Sequence, residues 1–288
     1  MKFGVSRVPT GKGASDPDYV AQLGAIAESH GCESLWMVEH VVVPASYNSV
    51  YPFDSSGKMG LTGNDDLPDP IVWMSYLAAS TKKIKLATGV VILPIRNPVV
   101  LAKQMATLDR LSNGRIILGL GLGWLSEEFD AVGVPFARRG ARADEYLEAM
   151  TALWSQSPAS FQGEFVNFEN MYCTPQPEAK SIPLVIGGIS EAAVRRAVRF
   201  GAGMHLMRSS ADEVRKVKQR IADECERTGK NPNDIEITMV APATLEQLQE
   251  LEQIGVDRVF LSVWDGDLNA FSDRIEEYQT TVMSGVAA

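Results

Sequence analysis

The sequence predicts a (β/α)8 TIM barrel, in which eight parallel strands alternate with helices and close into a ring. Residues 85–120 contain an apolar strand, a short loop, a helix and a second apolar strand. The chain repeats this unit until eight strands can be counted, and its 288 residues are close to the roughly 250 that such a barrel needs. A doubly wound open sheet also alternates strands and helices, but eight units at this length favour closure.

The best-defined unit is the third strand with its helix. Residues 85–93 are mostly apolar and often β-branched without alternation, as in a parallel strand that is buried on both faces. Asn97 is the predicted N-cap, and Pro98 takes the first helical position. Apolar residues then recur at helical spacing until the Ser-Asn-Gly sequence of residues 112–114 ends the helix.

The other elements follow from the same patterns, an apolar run for a strand and a capped amphipathic stretch for a helix. We expect one domain over residues 1–288, with a hairpin-like excursion at residues 161–175. Capping boxes are predicted at residues 210–213 and 244–247. The predicted strands are residues 2–5, 34–38, 85–93, 115–120, 183–186, 204–207, 235–240 and 258–264, and the predicted helices begin near residues 17, 70, 98, 126, 141, 191, 211, 245 and 268.

Charge and apolar pattern limit the partners of this chain. A formal net charge of −9 without a long basic run argues against a nucleic-acid or anionic-membrane surface, because phosphates are met by clustered Lys and Arg. No apolar run reaches about 18 residues, so we expect neither a transmembrane span nor a signal peptide. Cys32, Cys173 and Cys225 are scattered, which is typical of thiols in a reducing compartment. We therefore expect a cytoplasmic protein whose partners are small molecules or further copies of itself.

Residues 41–69 form the longest stretch without sustained periodicity, and they are rich in Pro, Gly, Ser, Asn and Tyr. A compact domain rarely contains so long a loop unless the loop is functional. This insertion follows predicted strand two, whose carboxyl end belongs to the face where barrel active sites lie. We predict that it is a mobile, lid-like cover of the barrel mouth.

Two phosphate-binding motifs are excluded. Gly119, Gly121 and Gly123 follow a strand, but a dinucleotide fingerprint requires glycine at the position of Trp124. The Gly-Lys-Gly sequence of residues 11–13 lacks the preceding glycine of a P-loop, and we interpret it as a flexible loop after strand one. The sequence therefore predicts no nucleotide site of either kind.

Histidine is the side chain best suited to move a proton near neutral pH. His30, His40 and His205 show no spacing typical of paired metal ligands, so no metal site is predicted. His40 follows predicted strand two together with Glu39 and therefore reaches the active face. We choose His40 as the catalytic candidate, although a purely structural histidine fits the same position. His205 lies within predicted strand six and is interpreted as a packed histidine.

Two glycine-containing segments reach the same face. The Gly-Gly-Ile-Ser turn of residues 187–190 joins a strand to a helix start, where free N–H groups and the helix dipole favour an anion. A plain tight turn with Ser190 as N-cap is the alternative. Gly89 interrupts a buried strand, which often marks a bulge or the close approach of a ligand. A glycine required only for packing fits equally well there.

Several segments together resemble the bacterial luciferase-like monooxygenase superfamily, especially its deazaflavin (coenzyme F420)-dependent oxidoreductases. They are WMVEH at residues 36–40, VIGGIS at residues 185–190 and the long stretch TGVVILPIRNPVVLAKQMATLDRLSNGRIILGLGLGWLSEEFDAVGVPF at residues 88–136. The resemblance covers most of the chain. It implies a (β/α)8 barrel, in agreement with the unit count.

The resemblance implies that coenzyme F420, or alternatively FMN, places its ring system in the barrel mouth. The family's third-strand bulge, with a non-prolyl cis peptide, would fall at Gly89-Val90, and its phosphate loop would fall at residues 187–191. His40 would be catalytic, and Arg96 and Trp124 would contact substrate. The residues assigned to the cofactor are Glu39, Thr88, Gly89, Val90, Gly121, Glu127, Gly187, Gly188, Ser190 and Glu191.

The implied reaction is hydride transfer between coenzyme F420 and a small organic substrate. Family members that oxidise sugar phosphates carry a glutamate where Trp124 stands, and this aromatic residue suggests a flatter or more apolar substrate. One alternative is an FMN-dependent, alkanesulfonate-type monooxygenase that uses dioxygen and a separate flavin reductase. Another is a barrel that binds flavin or a small ligand without turnover. Relatives are commonly dimers, and we expect a homodimer with a contact in residues 129–154.

Overall fold

A computed structural model of the protein describes residues 1–8, 13–264 and 267–285. Gly11 and Lys12, which belong to the loop predicted after strand one, lie outside the described residues. Within these ranges one sheet contains parallel strand segments that surround a common axis. They are β1 (Lys2–Arg7), β2 (Ser34–Met37), β3 (Lys85–Thr88), β4 (Val91–Ile92), β5 (Ile116–Gly121), β8 (Leu184–Gly187), β9 (Gly203–His205), β10 (Ile237–Val240) and β11 (Arg258–Val263), with β6 (Ala159–Gln162) and β7 (Asn167–Met171) forming a separate antiparallel hairpin.

The parallel segments close into a barrel. β1 pairs with β2 on one side and with β11 on the other, and pairing continues through β10, β9, β8 and β5. The pairing of β3 with both β2 and β5 completes the ring. Because β3 and β4 occupy one position, the ring has eight strand positions, and the predicted (β/α)8 barrel is confirmed.

The third strand was predicted as one continuous run over residues 85–93, and the structure divides it into two segments. β3 ends at Thr88, β4 contains only Val91–Ile92, and the peptide bond between Gly89 and Val90 is cis, as the family resemblance implied. The apolar composition indicated burial correctly. It could not indicate the interruption, which depends on contacts with glycines of β5. The sixth strand is likewise shorter than predicted, because β9 stops at His205.

Helices cover the outside of the barrel, and their starts follow the predicted caps. Ser210 forms the predicted capping box with Glu213, whereas at Thr244 the described residues form only the bond from the Gln247 N–H. The helices are α1 (Pro17–Ser29), α2 (Pro70–Ser80), α3 (Pro98–Ser112), α4 (Ser126–Ala131), α5 (Arg139–Ser155), α6 (Glu191–Phe200), α7 (Ala211–Thr228), α8 (Leu245–Ile254) and α9 (Leu268–Thr281).

The barrel interior is a packed core rather than a channel. Trp36 and Phe260 stack with their ring centroids 5.1 Å apart. Towards the amino ends of the strands, Arg258 is buried and its Nε donates to Glu33 Oε2 at 3.0 Å. His205 packs on the other side of the Trp36–Phe260 pair. The packed interior leaves the carboxyl ends of the strands as the face where active sites of this fold lie.

The insertion of residues 41–69 lies over those carboxyl ends and contains neither helix nor strand. Met59 and Leu61 are buried against Val8, and Trp124 and Trp264 pack against the same cluster. Since Val8, Trp124 and Trp264 follow β1, β5 and β11, this packing brings the insertion next to the carboxyl ends of these strands, and its role as a cover stays a prediction. Its mobility stays a prediction.

Candidate active site

The His40 imidazole is held at the mouth by a buried carboxylate. Nδ1 of His40 lies 2.9 Å from Oε2 of Glu128, and the backbone N–H of Val41 donates to Oε1 of the same residue at 2.5 Å. The Glu128 side chain is fully buried, and that of His40 is 9% exposed. The rings of Trp124 and His40 meet edge to face, with their centroids 5.9 Å apart. The hydrogen bond to Glu128 and the contact with Trp124 together hold the His40 ring in one orientation.

Glu128 was not among the residues predicted from the sequence, whereas its neighbour Glu127 was. A signal was present: Leu125, Glu128 and Phe129 share the i, i+3, i+4 spacing of one helical face. Leu125 and Phe129 are completely buried in the structure. A single carboxylate on such an apolar face requires an internal partner, and His40 with Val41 meets that requirement.

Glu127, which the resemblance assigned to the cofactor, forms hydrogen bonds with the insertion. Its Oε1 accepts the backbone N–H of Asn48 at 2.6 Å, and its Oε2 accepts the Ser49 hydroxyl at 2.7 Å. The hydroxyl of Ser49 and the N–H of Asn48 lower the pKa of the Glu127 carboxyl to about 2. This carboxylate therefore fastens the middle of residues 41–69 to α4.

Glu39 and Arg96 also have internal roles. The Ile92 N–H donates to Glu39 Oε2 at 2.5 Å, and Arg96 Nε donates to Glu39 Oε1 at 2.6 Å. The Arg96 guanidinium also donates to Asp69 Oδ2 at 2.6 Å. Glu39 is buried and links the end of β2 to β4 and, through Arg96, to the end of the insertion. Glu39 and Arg96 therefore support the mouth, and the contacts expected of Glu39 with the cofactor and of Arg96 with the substrate stay predictions.

Thr88, expected at the cofactor, is bonded to the neighbouring strand. Its hydroxyl donates to the Gly119 carbonyl oxygen at 2.8 Å and accepts the Gly119 N–H at 2.9 Å. Thr88 is fully buried, so its side chain spans the gap between β3 and β5 and does not face the mouth. Gly119 is required here because an added Cβ would lie 1.9 Å from the Thr88 carbonyl oxygen.

The side chain of Val90, which follows the cis bond, explains why two nearby positions are glycine. A Cβ on Gly121 would lie 2.5 Å from Val90 Cγ2, and a Cβ on Gly187 would lie 3.2 Å from Val90 Cγ1. Gly121, assigned to the cofactor, therefore gives room to Val90. Gly89 and Val90 are only partly buried, and their contact with Gly187 joins the interrupted strand to the turn after β8.

The turn after β8 has the form predicted for an anion site. Gly188 has a φ of 110°, a conformation that favours glycine, and its N–H donates to the His205 carbonyl oxygen at 3.0 Å. The Ser190 hydroxyl caps α6 by accepting the Ala193 N–H at 3.2 Å. The N–H groups of Glu191 and the next residue remain at the open helix end. Both readings of the sequence, anion site and capped turn, fit this geometry.

His205 is packed, as predicted, and lies directly below Gly89. Its Nε2 is 3.8 Å from the position of a Cβ on Gly89, and it has no hydrogen-bond partner within the described ranges. Burial lowers the pKa of the imidazole to about 4, so the ring is neutral near pH 7. The floor of the mouth is thus formed by Gly89, Val90 and a neutral histidine.

Trp124 forms an aromatic wall beside His40. Its ring centroid lies 5.5 Å from that of Tyr47 and 5.1 Å from that of Tyr51, both from the insertion, and the rings meet edge to face. The indole is partly exposed. The position of Trp124 suits the predicted contact with an apolar or flat substrate.

A closed barrel with a histidine, an interrupted third strand and a glycine turn at its mouth defines a class of barrel enzyme. The family model described as luciferase-like monooxygenase matches residues 1–250. The chain belongs to this family, whose members are oxidoreductases or monooxygenases.

Matches to individual proteins support membership of this family. An uncharacterized protein of Mycobacterium tuberculosis is 39% identical over 175 residues, which cover 58% of this chain and 59% of that protein. The FMNH2-dependent dimethylsulfone monooxygenase of Pseudomonas fluorescens is 24% identical over 263 residues, which cover 90% of this chain and 66% of that enzyme. Both alignments span less than two thirds of the relative. The solved structure of an F420-dependent secondary alcohol dehydrogenase matches with a TM-score of 0.79 at 16% identity, covering 100% of this chain and 99% of that one, and shows the shared fold alone.

Within residues 1–8, 13–264 and 267–285, no helix is long and apolar enough to cross a membrane. The same ranges contain no cluster of three His, Cys, Asp or Glu side chains arranged to hold a metal ion. Cys32, Cys173 and Cys225 are buried free thiols.

Proposed function

We propose that the protein transfers hydride between coenzyme F420 and a small organic substrate at the barrel mouth. The observation that carries this proposal is the His40 imidazole, held by Glu128 where β2 ends. β2 pairs with β3 as far as Met37 and Thr88, so His40 and Gly89 follow adjacent strand ends. A proton-moving group therefore neighbours the interrupted strand proposed to receive the cofactor ring.

The residues at the mouth fit a flat cofactor with a phosphate-bearing tail. Gly89 and Val90 offer a partly exposed backbone surface, and the side chain of Val90 reaches Gly187. On Gly188 an added Cβ would meet only Ala193 Cβ at 3.9 Å, which leaves that side of the turn open to an anion. We assign the ring to Gly89 and Val90, and the phosphate to Gly187, Gly188, Ser190 and Glu191. A bound deazaflavin would supply the hydride acceptor or donor.

The protein's own residues would bind, orient and exchange a proton. His40 Nε2 accepts or returns the substrate proton. Trp124, Tyr47 and Tyr51 present apolar ring surfaces, which favour a flat or apolar substrate. The insertion that carries both tyrosines reduces the access of water to this space.

FMN-dependent monooxygenation is a second candidate function. The observation that favours it is the likeness to an FMNH2-dependent monooxygenase over 90% of this chain. Like F420, FMN combines a flat ring system with a phosphate, so the proposed binding residues suit both cofactors. In this case a separate reductase would provide the reduced flavin.

Titration of the purified apoprotein with each cofactor tests the choice. We expect micromolar binding of F420 and much weaker binding of FMN, measured by fluorescence or calorimetry. Preferential binding of FMN would favour the monooxygenase, and binding of neither would reject both. Binding without turnover of a substrate panel would instead favour a ligand-binding barrel.

Two substitutions should separate chemistry from cofactor binding. His40→Ala should lower the rate of hydride transfer by about 10²–10⁴-fold, because general acid–base catalysis is lost, with little change in cofactor affinity. Gly188→Asp should weaken cofactor binding, since it places a carboxylate and a side chain where an anion approaches. Stopped-flow kinetics and cofactor titration on both variants measure these effects. A His40→Ala enzyme with normal turnover at saturating cofactor and substrate would remove His40 from the mechanism.

A further inference from the structure

We propose that Glu128 is a positioning residue that fixes the tautomer of His40, so that Nδ1 carries the proton and Nε2 offers its lone pair at the mouth. This inference rests on the proposed function only for its effect on rate. The tautomer itself is a property of the protein without cofactor or substrate.

The hydrogen bonds around Glu128 fit an ionised carboxylate that accepts from both partners. The Val41 N–H can only donate, so Oε1 of Glu128 must accept at 2.5 Å. Oε2 is 2.9 Å from His40 Nδ1, and no other side chain within the described ranges contacts it. When Glu128 is ionised it can only accept, and Nδ1 of His40 must then carry the proton. Complete burial of Glu128 makes these two bonds indispensable, because a buried carboxylate without partners is strongly disfavoured.

The other ring nitrogen of His40 is left for the ligand. Nε2 of His40 has no hydrogen-bond partner among the residues described, and it is not sealed from solvent as Nε2 of His205 is. With Nδ1 protonated, the neutral ring presents a proton acceptor there. When Nε2 takes up a proton, the Glu128 carboxylate stabilises the resulting imidazolium. Glu128 therefore prepares His40 to begin its cycle as a base towards an O–H or N–H group of the substrate.

The opposite arrangement defines the outcome that contradicts the proposal. A protonated Glu128 could donate to an unprotonated Nδ1 at the same distance, and Nε2 would then carry the hydrogen. His40 would begin as a proton donor. The two arrangements share all heavy-atom positions, so they must be distinguished by the position of the proton.

Nitrogen–proton NMR correlations of the histidine rings distinguish them in the wild-type apoprotein near neutral pH. The chain has three histidines, so the His40 signals are identified by their loss in His40→Ala. We expect the proton on Nδ1 of His40. A proton on Nε2 overturns the proposal, and this test needs no variant of Glu128 to fold.

Glu128→Gln sharpens the test because the amide keeps the shape of the side chain. Its oxygen must still accept the Val41 N–H, so its NH2 group faces His40 Nδ1 and donates to it. We expect the tautomer to change to Nε2–H. The matched control is Asp130→Asn, the same chemical change at an exposed position of α4, which should leave the tautomer unchanged. Retention of Nδ1–H in Glu128→Gln overturns the proposal.

The same variants connect the tautomer to the reaction. Glu128→Gln should lower turnover by about 10²–10⁴-fold, with cofactor affinity within about twofold of wild type. Asp130→Asn should turn over normally. A changed tautomer with normal turnover would also overturn the positioning role. Failure of the apoprotein to bind either cofactor is a failure of the proposed function, and it leaves the tautomer result interpretable by itself.

Discussion

Burial decides how His205 responds to pH. Its pKa falls from 6.5 to about 4 because the charged ring loses hydration inside the barrel. Between these two pH values the unfolded chain binds a proton at this position and the folded chain does not. Above pH 6.5 His205 is neutral in both states and does not affect the free energy of unfolding. As the pH falls from 6.5 to about 4, this residue lowers the free energy of unfolding by roughly 1.4 kcal/mol per pH unit.

We predict that His205→Leu makes the stability of the protein less dependent on pH over this window. Urea unfolding between pH 4 and 7 measures the slope for wild type and variant. His30→Asn is the matched control, since His30 is partly exposed and bonded to Ser272 Oγ at 2.8 Å. Equal slopes for wild type and His205→Leu would show that another group dominates the acid response.

Glu127 and Glu128 show how neighbouring residues of one type acquire different roles. About 100° of rotation separates them on α4, so Glu128 faces the core and His40 while Glu127 faces Asn48 and Ser49 of the insertion. The residue type alone does not distinguish the two carboxylates. Their positions relative to Leu125 and Phe129 do.

At the scale of elements, β5 determines the shape of the third strand. Gly119 allows the Thr88 carbonyl to approach, and Gly121 gives room to Val90. Two glycines of the Gly-Leu-Gly-Leu-Gly sequence, which resembles part of a nucleotide motif, are thus explained by close strand packing. The glycines act on the mouth indirectly, by permitting the interruption at Gly89.

We predict that Gly119→Ala destabilises the protein by at least about 1–3 kcal/mol, because the new methyl group would overlap the Thr88 carbonyl oxygen. Thermal or urea unfolding measures the change. Gly60→Ala is the matched control, since a Cβ there meets nothing within 4 Å, and it should be neutral or slightly stabilising. Comparable stability of the two variants would mean that β3 and β5 can separate at little cost.

The insertion connects distant parts of the molecule. It is fastened at its start by Glu128 through Val41, in its middle by Glu127, and at its end by Arg96 through Asp69. The contacts of Glu127 with Asn48 and Ser49 do not involve the His40–Glu128 bond. Opening of the insertion at Asn48 and Ser49 would therefore leave that bond in place.

Assembly is the remaining question for the whole molecule. The apolar side chains expected at a dimer contact in residues 129–154 are mostly buried within the protomer, as Phe129, Leu147 and Trp154 show. Exposed apolar side chains occur instead on α2, where Val72 is 70% and Tyr76 is 46% exposed. Their i, i+4 spacing places them on one face. The prediction of a homodimer therefore stands with a different contact.

We predict that the protein sediments at micromolar concentration as a species of about twice 31.4 kDa, because dimerisation would bury the apolar face of α2. Val72→Asp should shift it towards the monomer by placing a charge in the contact. Val50→Asp is the matched control, since Val50 in the insertion is 72% exposed. A wild-type protein that remains near 31.4 kDa contradicts this prediction.

The sequence by itself determined the barrel, its eight strand positions and most helix starts. These features depend on local patterns, such as apolar runs and the caps at Asn97 and Ser210, which neighbouring residues establish together. It also indicated His40, Trp124 and the turn at Gly188, because chain order brings the carboxyl ends of parallel strands to one face.

Only the tertiary structure decided the partners of these residues. Glu128 lies 88 positions from His40 in the chain, and Thr88 lies 31 positions from Gly119. Such pairs depend on barrel closure and on the path of the insertion, neither of which leaves a periodic signal in the sequence. Side-chain orientation on α4 and at the ends of β2 and β3 then determined which polar groups became internal supports, as for Glu39, and which reached the mouth.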